Sequence, residues 1–366
     1  CVLKRGKASS ATSYTLPSGT VLPACGFLSF DENTLGFLIN GKGDTLWLIA
    51  PASAGTNVID VLRFDNQELG VSYGRYPDGD AAWRRLAAPT PAAANAAALV
   101  SGVVLNEIMY NPISGEKDDE YVELYNAGTN AVDLTGWKLG GGIDYTFSQS
   151  IPAKGYLVVA HDRDALAALY PAQAACIVGD YSGSLGNTRD TVSLSQPLTV
   201  MDTDDPYAPV ATQKLVVVET VTYRNGGEWS HLADGGGSSL ERIDPRADPR
   251  LARSWAASDE TQKSDWVTLS YTGAIDNGFP DSNGDPNAVT LGLMDSGECL
   301  VDSVSVMASG GANLVNNPSF ESGTNSWRFM GSHDQSTVET NAAAPDGTHV
   351  LHLRAVDRCH NGMNNV

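Results

Sequence analysis

The sequence predicts an all-β protein, and three observations carry that prediction. Short runs rich in branched and aromatic side chains recur along the chain, such as Val103-Val104-Leu105-Asn106-Glu107-Ile108-Met109-Tyr110 and Tyr121-Val122-Glu123-Leu124-Tyr125. Glycine, asparagine and proline punctuate them; the 366 residues include 37 glycines and 18 prolines, which supply turns and stop pairing. Only one stretch reads as a helix, 162–170, with Asp162 or Asp164 as N-cap and Pro171 as its stop. A chain of this length has room for two or three domains, each with its own core.

Taken in order, residues 1–95 parallel a later part of the chain. Tyr14-Thr15-Leu16-Pro17 through Leu22-Pro23-Ala24-Cys25-Gly26-Phe27-Leu28-Ser29-Phe30 matches Tyr145-Thr146-Phe147 through Ile151-Pro152-Ala153-Lys154-Gly155-Tyr156-Leu157-Val158-Val159. Gly43-Asp44-Thr45-Leu46-Trp47-Leu48 matches Arg189-Asp190-Thr191-Val192-Ser193-Leu194, and a strand follows each, at 58–64 and 216–223. Likeness at a fixed order is the mark of an internal repeat, 14–85 against 145–243. The first copy lacks a counterpart of 103–134. A sandwich without its opening strands exposes apolar faces and unpaired edges, so the sequence reads as a piece of a longer protein. Residues 86–102, rich in Ala, Pro and Thr, read as a semi-stiff linker, with 96–102 as its last part, because Pro89 and Pro91 interrupt any helix.

Residues 103–126 organise the rest. The run from Val103 to Tyr110 is apolar enough for a strand buried on both faces. Asn111-Pro112 breaks pairing, Ser114-Gly115-Glu116-Lys117-Asp118-Asp119 makes a polar loop, and Leu134-Thr135-Gly136-Trp137-Lys138-Leu139 gives a further strand closed by Gly140-Gly141-Gly142. This order resembles the opening of a lamin-tail domain, an immunoglobulin-like β-sandwich. The resemblance rests on Asn106-Glu107-Ile108, on Glu120-Tyr121-Val122-Glu123-Leu124-Tyr125-Asn126 and on Asp133-Leu134-Thr135-Gly136-Trp137. The ending of the first copy, Gly74-Arg75-Tyr76-Pro77-Asp78-Gly79 with Trp83, resembles such domains too. The fold class implied is tandem immunoglobulin-like β-sandwiches of lamin-tail type: a partial one at 1–95 and a complete one at 103–275.

Residues 196–213 interrupt the strand pattern and read as an insertion or a long hairpin tip. Trp229, Gly235-Gly236-Gly237-Ser238-Ser239-Leu240-Glu241-Arg242 and Trp255 close the domain. The glycine triplets are turns, since neither is followed by the Lys-Ser/Thr of a phosphate loop. Residues 276–288 read as a second linker. Within it Asp281, Asn283 and Asp285 have the oxygen spacing that opens an EF-hand loop, but the twelfth position is Gly292 and no helix flanks it. Beyond, 289–366 changes character. Asn313-Leu314-Val315-Asn316-Asn317-Pro318-Ser319-Phe320-Glu321-Ser322-Gly323 with Trp327 resembles the first strand of carbohydrate-binding, galactose-binding-like jelly-rolls, and Val350-Leu351-His352-Leu353-Arg354 a following one. Leu300-Val301-Asp302-Ser303-Val304-Ser305-Val306 resembles their closing strand but comes first, as in a permuted, partial jelly-roll. In such modules the first and last strands are neighbours and calcium often sits near their ends. The resemblance therefore implies a calcium site at Asp302 and Glu321, set against separate surface or turn-capping roles for both acids.

The formal charge is −20. Residues 1–100 carry 8 basic and 8 acidic groups, 101–290 carry 12 and 27, and 291–366 carry 3 and 8. An acidic middle domain repels nucleic acid, whose binders need Lys and Arg. Of the five cysteines none forms a CxxC pair, which excludes a zinc ribbon; Cys1 with Cys25 and Cys299 with Cys359 are possible disulfides, isolated thiols the alternative. No apolar run is long enough for a transmembrane helix.

Catalytic motifs are missing: no GxSxG, HExxH or Walker loop occurs. On a strand His349 and His352 point to opposite faces, as do Glu120 and Glu123, and adjacent Cys359-His360 is no dyad. Glu107 and Glu123 either hydrogen-bond at strand ends or share a cation or ligand. Trp137, Trp229 and Trp255 suit the core; Trp327 suits core packing better than sugar stacking. The expectation is a non-enzymatic, extracellular or cell-surface region that binds a polysaccharide or surface polymer, or a scaffold, beside flanking domains of the same longer chain. The alternative is the accessory region of a large enzyme, with a CotH-type kinase or hydrolase domain elsewhere. Both follow from the bacterial proteins in which such domains occur.

Overall fold

The computed structural model describes residues 1–6, 12–51, 57–205, 207–261, 263–273, 288–308 and 310–356. The EF-hand-like residues Asp281, Asn283 and Asp285, most of the second linker, Cys359 and His360 lie outside the described residues. Residues Cys1–Val104, Tyr125–Tyr156 and Thr191–Val221 form one compact unit. Leu105–Leu124, Leu157–Asp190 and Thr222–Val366 form another.

Strands β1 (Val2–Arg5), β2 (Thr12–Thr15), β3 (Asp44–Ile49) and β4 (Val58–Phe64) make an antiparallel sheet in the order β2-β1-β3-β4. Between β2 and β3 lies a single turn of helix, α1 (Glu32–Leu35). The Asp31 carboxylate accepts the Thr34 N–H at 2.8 Å, and Gly36 ends the turn at φ 73°, a conformation glycine adopts without steric cost. The sequence reading missed this turn because four residues leave no periodicity to detect. The stretch 25–30, read as the partner of a later strand, is not a strand. A hairpin of β5 (Tyr73–Arg75) and β6 (Trp83–Arg85) follows. The Ala/Pro-rich stretch forms no helix but folds back on itself: Ala87 donates to Ala97 O and Leu99 to Arg85 O, and Ala93 donating to Thr90 O closes the turn between them.

The region that follows supplies β7 (Val103–Met109), β8 (Tyr121–Asn126), β9 (Val132–Asp133), β10 (Lys138–Gly141), β11 (Ile143–Thr146), β12 (Ser150–Ile151) and β13 (Tyr156–Ala160). After these come α2 (Arg163–Leu169), β14 (Ile177–Val178), β15 (Ser182–Gly183), β16 (Arg189–Asp202), β17 (Val210–Arg224), β18 (Leu240–Arg242) and β19 (Trp255–Ala257). They build a six-stranded sheet ordered β14-β13-β8-β7-β18-β19 and a five-stranded sheet ordered β15-β11-β10-β16-β17, with β9 and β12 as a separate pair. Strand β7 lies between two neighbours and buries Val103, Val104, Leu105 and Ile108, as its apolar run predicts. Helix α2 sits where expected: Asp162 accepts the N–H groups of Asp164 and Ala165 at 3.0 and 2.9 Å. Trp137, Trp229 and Trp255 are all buried. The fold class is all-β, as the strand runs indicated.

Strands β16 and β17 form a hairpin of 14 and 15 residues. Residues 196–213 therefore do not interrupt the strand pattern; they extend it, and only 203–209 make the tip. Pro197 is tolerated because β10 has stopped pairing by then, its last register partner on β16 being Ser195. Carbonyls on the extension instead receive the first segment: Gly41 donates to Met201 O at 3.0 Å and Leu69 to Thr199 O at 2.7 Å. Lys42 pairs with Asp202 at 2.9 Å and also with Asp204.

At the C-terminal end β20 (Gly297–Val301), β21 (Thr337–Thr340) and β22 (His349–Ala355) make an antiparallel sheet ordered β20-β22-β21. Phe320, Leu351 and Leu353 form its apolar centre, and Trp327 packs on Phe320 with ring centroids 5.1 Å apart. The stretch 313–323 is a turn-rich loop rather than a first strand, with Asn317 and Phe320 at φ 51° and 58°. It still lies beside 300–306: Leu314 donates to Val306 O and Val304 to Pro318 O.

Candidate functional site

Three carboxylates line up across neighbouring strands of the six-stranded sheet. Glu107 stands on β7, Glu123 on β8 beside it, and Glu241 on β18 in register with Glu107. Like charges opposite one another on a sheet repel. The site lowers that cost by hydrogen bonding and by protonation. Glu107 Oε1 accepts the Tyr121 hydroxyl at 2.5 Å and the Ser239 hydroxyl at 2.6 Å. Glu123 Oε1 accepts Asn106 Nδ2 at 2.8 Å. Burial nonetheless pushes the Glu123 carboxyl up to about 7, with Glu107 and Glu241 adding to the rise and Asn106 opposing it. Burial and Glu107 raise Glu241 in the same way. Glu107 and Glu123 thus do hydrogen-bond, as the simpler sequence reading had it, but they also share one electrostatic site. Glu241 was missed, because register across strands is not visible in a single sequence.

A carboxyl raised on folding binds its proton more tightly in the native state. Stability from this group is therefore greatest below the unfolded value near 4.5 and falls as pH rises towards 7. Glu123→Gln keeps an acceptor for Asn106 and removes the titration. At pH 8 it should raise unfolding stability by roughly 2 kcal/mol, and at pH 4 by almost nothing. Urea melts at both pH values measure this. A gain of equal size at both would show that Glu123 carries no such charge penalty.

Glu120 stands in a different setting. It is buried and accepts the Tyr181 hydroxyl and the Leu185 N–H, both at 2.9 Å. Asp234 accepts Asn111 Nδ2 at 2.7 Å and Asn225 Nδ2 at 3.0 Å, while Tyr110 stacks on Tyr223 at 4.5 Å. These acids tie loops to strand ends.

Asp302 and Glu321 come together on one turn. Asp302 Oδ2 accepts the Asp346 N–H at 2.8 Å, and its Oδ1 accepts Ser303 N–H at 2.6 Å. Glu321 Oε1 accepts the N–H groups of Thr348 and His349, both at 2.7 Å, and its Oε2 lies 3.2 Å from Thr348 Oγ and His349 Nδ1. Those backbone bonds hold the Glu321 carboxyl down at about 2. Between them, at φ 74°, Gly347 leaves the space that the Glu321 carboxylate fills. Each oxygen of the pair already faces an N–H or hydroxyl donor, so the pair clamps the turn before β22 and fits calcium poorly in this arrangement. Among the described residues no group of three His, Cys, Asp or Glu side chains is placed to hold a metal ion.

His349 and His352 do not meet: the first faces Glu321, the second two other glutamates, Glu298 and Glu339. Cys1 and Cys25 are exposed free thiols, not a disulfide, and Cys176 and Cys299 are also free. No described helix is long and apolar enough to cross a membrane.

The described polar clusters thus hold strands, loops and turns, which is the chemistry of a β-sandwich module. Residues 96–224 match the family model of the Lamin Tail Domain, and the chain contains a domain of that kind. No curated protein and no solved structure matches the chain.

Proposed function

We propose that this chain is a non-catalytic binding and scaffold region of a large extracellular or surface-attached protein, built from tandem lamin-tail sandwiches. One observation carries the tandem reading. The sheet β2-β1-β3-β4 has the same strand order as β11-β10-β16-β17, with α1 lying between β2 and β3 and α2 between β11 and β16. Of the matched strands, β4 exposes Val58, Ile59 and Val61, while β17 exposes Val210, Leu215 and Val217 and buries Val216, Val221 and Tyr223. The hairpin β16–β17, held by residues 41, 42 and 69, supports a spacer role, since it couples successive segments through backbone bonds and an ion pair.

The ligand class we favour is a polysaccharide or other surface polymer, by analogy with proteins that carry such domains. On glycan and cell-wall arrays the purified chain is expected to bind a subset of polymers. Phosphotransfer, esterase, glycosidase and nuclease assays are expected to stay at background. Turnover abolished by a single substitution within these residues would overturn the non-catalytic reading. Silence across broad arrays would remove the polymer and leave the scaffold alone.

A further inference from the structure

The C-terminal sheet meets the segment that follows β19 through one buried ionic cluster. His352, on the middle strand β22, is enclosed by carboxylates from both neighbours. Its Nε2 lies 2.7 Å from Glu298 Oε2 on β20, and its Nδ1 lies 3.2 Å from Glu339 Oε2 on β21. The side chains of Glu298 and His352 are 2% and 4% exposed. Glu298 Oε1, its other oxygen, accepts the backbone N–H of Glu260 at 3.0 Å. From Glu260 the network runs on: the Ser258 hydroxyl donates to Glu260 Oε1 at 2.7 Å, and Ser258 Oγ accepts the Ser239 N–H at 2.9 Å on the way to β18. A single carboxylate therefore bridges His352 and the main chain of another segment.

We propose that His352 is a proton-controlled latch: charged, it holds Glu298 onto the Glu260 backbone and docks the C-terminal sheet; neutral, it releases that contact. An imidazolium donates from both nitrogens, so both glutamates are satisfied. A neutral ring donates from one nitrogen only, and its second lone pair then faces a carboxylate. The charged neighbours make this loss consequential. Glu298, Glu339 and Asp259 are acidic, and Arg354, 3.1 Å from the His352 ring, is the cation on the same strand. Lys263 is engaged by Glu260. His333, on the turn packed against β22, is buried and accepts the Leu293 N–H through Nε2, and burial lowers its pKa. Deprotonating His352 leaves the buried Glu298 with Arg354 Nε, 3.2 Å from its Oε2 and itself 37% exposed, as its remaining cation. Water must then enter to solvate Glu298, and the bond to Glu260 is what yields.

The direction of titration agrees. Burial alone would lower the His352 pKa, but its bonds to Glu298 and Glu339 outweigh burial and the repulsion from Arg354, and raise it above its ordinary value. For Glu298, burial is outweighed by His352 and the Glu260 N–H, and its carboxyl lies below its usual value. A raised histidine gives stability that is complete below 6.5 and lost as pH climbs through the folded value. A lowered glutamate gives stability lost only as pH falls through its own, depressed value. The latch is therefore closed in the mildly acidic to neutral window and opens on the alkaline side.

Amide exchange of the intact chain, corrected for the intrinsic pH dependence of exchange, tests this at Glu260. Protection is expected to fall at least tenfold between pH 6 and pH 9 in the wild type. In His352→Gln it should be the same at both pH values, and in Glu339→Gln the fall should move to lower pH. Wild-type protection that does not change with pH would overturn the latch, as would an unaltered fall in His352→Gln. If His352→Gln loses protection throughout β22, Glu339→Gln decides: a midpoint that moves down supports the latch, and one that stays in place overturns it.

Discussion

Replacing Asn126 with aspartate is expected to destabilise the protein by about 3 kcal/mol or more, although the two side chains have nearly the same shape. Asn126 is fully buried at the end of β8. Its amide nitrogen donates to the carbonyls of Asn130, Ile151 and Pro152 at 2.8, 3.3 and 2.9 Å, and its oxygen accepts the Gly128 N–H at 2.9 Å. An aspartate keeps the acceptor and turns the donor into a second acceptor against three carbonyls. Either a buried charge faces those oxygens, or the carboxyl takes up a proton and donates only once. Both outcomes break the joint between the 126–130 turn and β12. Urea unfolding at pH 7 measures the loss. Asn126→Asp should be less harmful at pH 4, where the acid can be neutral, than at pH 7. A cost below about 1 kcal/mol at pH 7 would mean that the three carbonyls do not depend on this amide.

Removing the guanidinium of Arg242 should cost a comparable amount, roughly 3 kcal/mol. Arg242 ends β18 and is buried. Its Nη1 donates to Leu105 O at 3.2 Å, its Nη2 to Pro245 O at 3.0 Å and Ala247 O at 2.5 Å, and its Nε to Asp244 O at 3.2 Å. One planar group thus gathers the 244–247 turn against β7, and the carbonyls it serves lose their donors if it is shortened. Arg242→Met keeps the stem and removes all the donors. Arg242→Lys retains the charge but cannot reproduce the fork, so it should recover only part of the loss. Thermal melts of the two variants give the comparison; a lysine as stable as the wild type would show that charge matters here and geometry does not.

The strands were legible because their signals are local. Branched and aromatic runs, Pro112, the Asp162 cap and the paired turns each act within a few residues, so β4 and α2 fall where the sequence puts them. Asn126 and Arg242 stood inside motifs that the sequence reading singled out, yet their roles did not, since three carbonyls from two other segments define the first and a distant strand the second.

What the sequence determined by itself, then, is the all-β class, the short capped helix, the acidic middle and the missing catalytic motifs, all properties of neighbouring residues or of composition. Tertiary structure decided the rest. The Glu107–Glu123–Glu241 row exists only because β18 pairs with β7 in that register. Asp302 and Glu321 became a clamp because the N–H groups of 346–349 fold onto their oxygens. His352 acquired two carboxylates because β22 lies between β20 and β21. In each case the charge of a side chain is written in the sequence, while its partner is set by what the fold lays beside it.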